Sequence, residues 1–153
     1  MTMNISRRTW LCSSAAAAAT AFFGVAGRAF ASLEEVEKAI EEFGGGAAVE
    51  DGGPLKLKTP EIAENGNSVP VSFEVDSPMS DDDYVESVMI IATENPSPDV
   101  ATFHFSPASG VAKASTRMRL AKTQNVLAVA KTSTGQLFKV NNNVKVTIGG
   151  CGG

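Results

Sequence analysis

The sequence is short of the residues that most often carry chemistry. Its 153 residues include one histidine (His104), two cysteines (Cys12 and Cys151) and one tryptophan (Trp10). A His/Cys metal cluster or a haem-attachment motif cannot be assembled from so few ligands. One imidazole leaves little material for acid–base catalysis near neutral pH. Cations are also scarce: 13 Lys and Arg stand against 17 Asp and Glu, for a net charge of −4. That balance lacks the basic face a nucleic-acid binder normally carries. No metal, no cofactor and no nucleic-acid partner is therefore expected. The remainder, 43% hydrophobic and 20% charged, is the composition of one folded soluble domain.

Long apolar runs are missing too, apart from one near the N-terminus. Arg7 and Arg8 precede an Ala-rich stretch from Trp10 to Ala26, and Ala29-Phe30-Ala31 follows. The order of basic pair, weakly apolar run and small-x-small site is that of a cleaved export signal. Ser6-Arg7-Arg8-Thr9-Trp10-Leu11 resembles the twin-arginine signal, with Trp in place of the usual Phe, and Arg28 before the cleavage site suits that route. The run is short for a membrane span of about 20 residues, so no membrane anchor is expected. Residues 1–31 are thus assigned as a signal peptide cut between Ala31 and Ser32. Their loss removes Arg7, Arg8 and Arg28 but no acid, so the net charge moves from −4 to −7. Trp10 and Cys12 go with them, which leaves Cys151 without an internal disulfide partner.

The exported chain reads as one helix followed by strands, an immunoglobulin-like antiparallel β-sandwich over residues 32–148. Ser32-Leu33-Glu34-Glu35 has the form of a capping box. Leu33, Val36, Ile40 and Phe43 make one apolar stripe that Gly44-Gly45-Gly46 ends. Residues 47–60 read as a loop that holds one candidate strand, Leu55–Leu57. After the Asn65-Gly66-Asn67 turn, alternation from Val69 to Val75 marks a half-buried strand, with Pro70 placing it at an edge or at its start. Further strands are expected at Tyr84–Ala92, Val100–Phe105, Lys113–Leu120, Asn125–Lys131, Leu137–Val140 and Val144–Ile148. Seven or eight short strands at even spacing argue for a sandwich.

Gly149-Gly150-Cys151-Gly152-Gly153 is the exceptional feature. Glycine has the widest backbone freedom and no side chain. A cysteine set among four glycines has no neighbours to bury it, although free cysteine is usually a buried hydrophobe. The pattern reads as a swinging arm, residues 149–153, that carries a thiol about 10 Å beyond Ile148, at roughly 3.3–3.6 Å per residue. No Lys, Arg or His adjoins Cys151 to favour the thiolate, so a receiving enzyme is expected to supply the positive charge. In air the lone thiol should link two copies by a disulfide. His104, in Ala101-Thr102-Phe103-His104-Phe105, reads as an ordinary strand residue. Asp81-Asp82-Asp83 lacks the alternate spacing and glycine of a calcium loop. Lys113, Arg117, Arg119 and Lys122 form a modest basic cluster, either solvated or a docking patch.

The glycine-flanked cysteine and the twin-arginine signal resemble the SoxY family. So do Asn65-Gly66-Asn67-Ser68-Val69-Pro70-Val71, Ala101-Thr102-Phe103-His104-Phe105 and Leu120-Ala121-Lys122-Thr123-Gln124-Asn125-Val126. SoxY proteins are the sulfur-carrier subunits of bacterial thiosulfate oxidation. The resemblance implies covalent attachment of sulfur intermediates to Cys151 and a heterodimer with SoxZ, a second β-sandwich subunit. It implies client enzymes SoxAX (a c-type cytochrome), SoxB (a manganese hydrolase) and, where present, SoxCD. It also implies a periplasmic, non-enzymatic carrier. The twin-arginine route, which exports folded proteins, suits a chain that leaves with SoxZ already bound. Two other classes compete: a ubiquitin-like sulfur carrier, against which the export signal argues, and an exported β-sandwich binding module with no carrier role.

Overall fold

Residues 33–149 are described in the computed structural model. The export signal, Ser32 with its capping box, and Gly150–Gly153 including Cys151 lie outside them. Helix α1 (Leu33–Gly44) stops where Gly45 and Gly46 adopt φ of 66° and 82°, a conformation that disfavours residues with a Cβ. Gly44 is buried, and a Cβ there would run into Leu137. The helix end therefore meets the sheet at backbone distance.

Nine strands follow: β1 (Val49–Asp51), β2 (Leu55–Lys58), β3 (Ile62–Ala63), β4 (Val69–Val75), β5 (Val85–Ala92), β6 (Asp99–His104), β7 (Ala112–Met118), β8 (Gln124–Thr132) and β9 (Leu137–Val146). The larger sheet runs β1-β9-β8-β5-β6, with β3 also on β9; the smaller is β2-β4-β7. This is the sandwich architecture expected, with one N-terminal helix. Val69, Val71, Phe73 and Val75 of β4 meet Val88, Ile90, Val126 and Ala128 of the larger sheet in one core. Phe73 stacks edge-on against Phe103 and Phe105, with centroids 5.2 and 6.1 Å apart, and ties the sheets together beside β6.

The larger sheet is covered on both faces, which explains the near-continuous apolar runs of β5 and β8. Their alternate residues Met89, Ile91, Leu127 and Val129 face outward and pack under Val36, Ile40 and Phe43 of α1. Leu33 does not join this stripe: it is 77% exposed, one turn ahead of Val36, where the helix first reaches the sheet.

Two other expectations are corrected, and one pair of alternatives is decided. β4 is the middle strand of its sheet, so of the two places that Pro70 allowed, an edge strand or the start of a strand, the second holds: Pro70 is the second residue of β4. The ladder of β4 to β2 starts only at Ser72, so Pro70 lies on the stretch that β2 does not reach. Leu137–Val140 and Val144–Ile148 are not separate strands: the Asn141-Asn142-Asn143 run stays within β9. Asn143 Nδ2 donates to Asn125 Oδ1 across β8 at 3.0 Å, and Asn142 Nδ2 donates to Leu57 O and Thr59 Oγ1 at 3.0 and 3.3 Å. Finally, not all pairing is antiparallel. β1 and β3, in segments with no strand signal, pair parallel with the first and last parts of β9.

Asn142 bridges the two sheets, so its loss should be felt. Asn142→Ala leaves the Leu57 carbonyl short of a partner and should cost about 1–3 kcal/mol. This would be read as a lower denaturant midpoint at unchanged slope. Asn141→Ala, at an exposed position on the same strand, should stay within about 0.5 kcal/mol. Equal midpoints would exclude a bridging role for Asn142.

Candidate functional site

The described chain ends on a clasp. Lys145 N and Thr147 N donate to Glu61 O and Ala63 O at 2.9 and 3.1 Å, and Thr147 Oγ1 donates to Glu64 O at 3.0 Å. Ile148 O accepts from Gly66 N at 2.8 Å. The Asn65-Gly66-Asn67 turn signal thus has a specific duty. Asn65 Oδ1 accepts from Asn67 N at 2.9 Å and closes the turn. Gly66 then uses both its backbone groups, its carbonyl accepting from Leu120 N at 2.8 Å.

The 119–123 loop grips the other side. Val146 N donates to Thr123 Oγ1 at 3.0 Å. The loop itself is held from within by Asn95 and the buried Gln124. Asn95 Nδ2 donates to Arg119 O at 2.8 Å, and its Oδ1 accepts from Ala121 N and Gln124 Nε2 at 3.0 and 2.9 Å. Gln124 Oε1 accepts from Glu94 N at 2.8 Å. Gly149 lies beside this loop: a Cβ there would sit 2.5 Å from Ala121 O. Gly149 is exposed but its backbone lies against the Ala121 carbonyl at the rim of the domain, and Cys151 follows it by two residues in sequence.

Charges of both signs surround the clasp, with Glu61 and Glu64 within it. Arg117 Nε donates to Ser68 Oγ at 2.7 Å and its Nη2 to Ser68 O at 3.2 Å. Lys122 pairs with Glu94 at 2.7 Å. Arg119 is exposed. Lys113 lies apart from these, opposite Glu74 in the β4–β7 ladder. His104 is exposed at the end of β6. Asp83 closes a turn through Ser80, with Asp83 N donating to Ser80 Oγ at 3.2 Å. Among the described residues, no group of three or more His, Cys, Asp or Glu side chains is placed to hold a metal ion.

Comparison with known proteins identifies the family. The profile of the family described as "Sulfur oxidation protein SoxY" matches residues 40–151, from the middle of α1 to the glycine-flanked cysteine. The chain belongs to the SoxY family. It is similar to the sulfur carrier protein SoxY from Chlorobium limicola f thiosulfatophilum, at 34% identity and a TM-score of 0.65, over 76% of this chain and 100% of that one. A superoxide reductase (neelaredoxin) from Ignicoccus hospitalis matches at 14% identity and a TM-score of 0.58, over 64% of this chain and 94% of that one. At that identity the likeness concerns the sandwich alone. No curated protein matches the chain.

Of the expected SoxY arm, Gly149 is described, while Gly150, Cys151, Gly152 and Gly153 lie outside the described residues. So do Arg7, Arg8, Ala29, Ala31 and Ser32. Sequence reasoning missed Asn95, Gln124 and Thr123, whose side chains hold the clasp. The only available signal was their place in the Asn-Pro turn and in the Lys-Thr-Gln-Asn segment.

The clasp makes Gly149 sensitive in a way that a linker glycine is not. Gly149→Ala must push Ala121 or lift Ile148 off Gly66, at about 1–3 kcal/mol for overpacking. Amide exchange at Gly66 should accelerate in the variant. Unchanged protection at Gly66 would mean that the terminus is not held there.

Proposed function

We propose that the chain is a periplasmic, non-catalytic carrier that holds sulfur intermediates on Cys151 and presents them to partner enzymes. The observation that supports this best is the family match, which runs through β9 and ends on Cys151. The fold agrees physically. A sandwich filled by aliphatic and aromatic side chains suits a scaffold, and a cysteine thiolate is a nucleophile that a partner can take into its own site.

The reaction sequence balances with little asked of the carrier. SoxAX removes two electrons as the Cys151 thiol joins thiosulfate, giving Cys–S–S–SO₃⁻ and one proton. SoxB adds water to release sulfate and two protons, leaving Cys–S–S⁻. SoxCD, where present, oxidises that sulfane sulfur for a second hydrolysis. SoxZ is the heterodimer partner, folded with this chain before twin-arginine export. Glycines 149, 150, 152 and 153 keep the arm narrow, so that a client channel fitted to bare backbone can admit it.

Two variants test the reading. Cys151→Ser should abolish thiosulfate-dependent cytochrome reduction in the reconstituted system and leave SoxZ binding and thermal unfolding unchanged; a fully active variant would end the carrier proposal. Replacing Gly150 and Gly152 together by Val restricts χ1 and the backbone beside the cysteine. Alkylation by a small reagent should stay near the wild-type rate, while client turnover falls by about 10²-fold or more. Wild-type turnover in the double variant would show that the channel does not read the glycines.

A further inference from the structure

We propose that the outer face of the smaller sheet docks an extended, acidic segment of a partner protein. Neither Cys151 nor the clasp takes part. Lys56 and Lys58 of β2, Glu74 of β4, and Lys113 and Arg117 of β7 are exposed on this face. Leu55, Leu57, Phe73, Val75 and Ala112, which alternate with them, turn into the core. The ladders set the exposed residues in rows. Lys56 and Lys113 both stand opposite Glu74, Lys58 and Ser115 both stand opposite Ser72, and Arg117 stands opposite Pro70 in the third row. Neighbouring strands lie about 4.8 Å apart and alternate residues about 7 Å apart, so the cations span a field of about 10 Å by 14 Å.

Charge sets this face apart. Four cations and one carboxylate give it a net +3, on a chain whose total is −4. Lysines elsewhere are mostly paired: Lys38, Lys122, Lys131 and Lys139 with Glu42, Glu94, Glu86 and Asp51. Among the described residues, Lys56, Lys58, Lys113 and Arg117 have no ion-pair partner, and Glu74 pairs with neither lysine beside it. A groove of about 410 Å³ runs among the three lysines, lined also by Ser72 and Ser115. Spacing and sign select the occupant. A single oxyanion meets one or two of these cations. An extended acidic segment laid along the strands carries carboxylates on alternate residues, about 7 Å apart, which is the row spacing of the face. Nucleic acid is a poorer match, because the face exposes no aromatic side chain for bases to stack on. The acidic remainder of the surface repels such a segment and steers it to this one face.

The test titrates the full chain at low salt with a fluorescent acidic peptide, four Glu-Thr repeats, and with its neutral counterpart of four Gln-Thr repeats. The acidic peptide should shift the amide resonances of Lys58, Ser72 and Ser115 and leave those of α1 and β9 unmoved, and added salt should weaken it. The neutral peptide should bind about ten-fold more weakly or not at all. Lys56→Gln/Lys58→Gln/Lys113→Gln should weaken the acidic peptide about ten-fold, whereas Glu74→Gln should tighten it about two-fold. Arg119→Gln/Lys145→Gln and Arg7→Gln/Arg8→Gln, which remove cations from elsewhere, should each stay within about two-fold of the parent. All four substituted positions on the face are exposed; if the triple variant still loses thermal stability, the shift map of the unaltered protein and Glu74→Gln decide. Shifts centred elsewhere, equal binding of the neutral peptide, unchanged affinity in the triple variant, or weaker binding by Glu74→Gln would each overturn the site. Displacement of the peptide by an equal concentration of sulfate would overturn it in favour of a single-oxyanion site, and tighter binding of an oligothymidylate in favour of nucleic acid. Salt-sensitive self-association of the protein alone, with the same resonances shifted, would give the face to the acidic α1 of a second copy instead. No client enzyme takes part, so this result is separate from the Cys151→Ser test of the carrier itself.

Discussion

The backbone demand of β9 organises the rest of the molecule. Ten residues long, the strand is paired along one side by β8 and needs partners for the groups on its other side. No single strand supplies them. β1 covers Leu137–Lys139 and β3 covers Lys145–Val146; in the gap between them the Asn142 side-chain amide donates to Leu57 O of β2, which ties the sheets without serving the β9 backbone. The chain from Val49 to Ala63 therefore leaves the larger sheet, contributes β2 to the smaller one, and returns. That excursion links the sheets on the side away from the Phe73 contacts. The second return, at β3, delivers the 61–66 segment to the end of β9.

Tertiary hydrogen bonds are thus concentrated at the end of β9. The clasp consists of backbone groups and short polar side chains, with Asn95 and Gln124 satisfied among themselves and by loop carbonyls. No charged group is buried to make it, so holding the terminus does not depend on the protonation state of a side chain. For a protein whose proposed work is delivery, the domain supplies a stiff handle and leaves the chemistry to its partners.

The antiparallel framework was legible in the sequence because alternation in β4 and punctuated runs elsewhere encode it. α1 was legible too, since Val36, Ile40 and Phe43 recur at helical spacing. The short strands β1 and β3 were not. Val49-Glu50-Asp51 is exposed throughout and owes its conformation to β9, so its side chains carry no pattern. The three asparagines of β9 fell in the gap between two expected strands, because the bonds of Asn142 and Asn143 are to residues distant in sequence. The same holds at the site. The arm motif and Asn65-Gly66-Asn67 stood out, while Asn95 and Gln124 act through tertiary contacts that local composition does not report. Membership of the SoxY family settled what composition left open between a carrier and a binding module.

On the carrier role proposed above, the short path from the rim to Cys151 also sets the traffic around the protein. Two residues of backbone span at most about 7 Å. An enzyme that receives this cysteine must therefore seat itself over the rim formed by Gly66, Ala121 and Gly149. Two such enzymes cannot occupy that rim together. Successive steps on one load are then separated by complete departure of one client and arrival of the next, and flux is governed by how quickly each lets go.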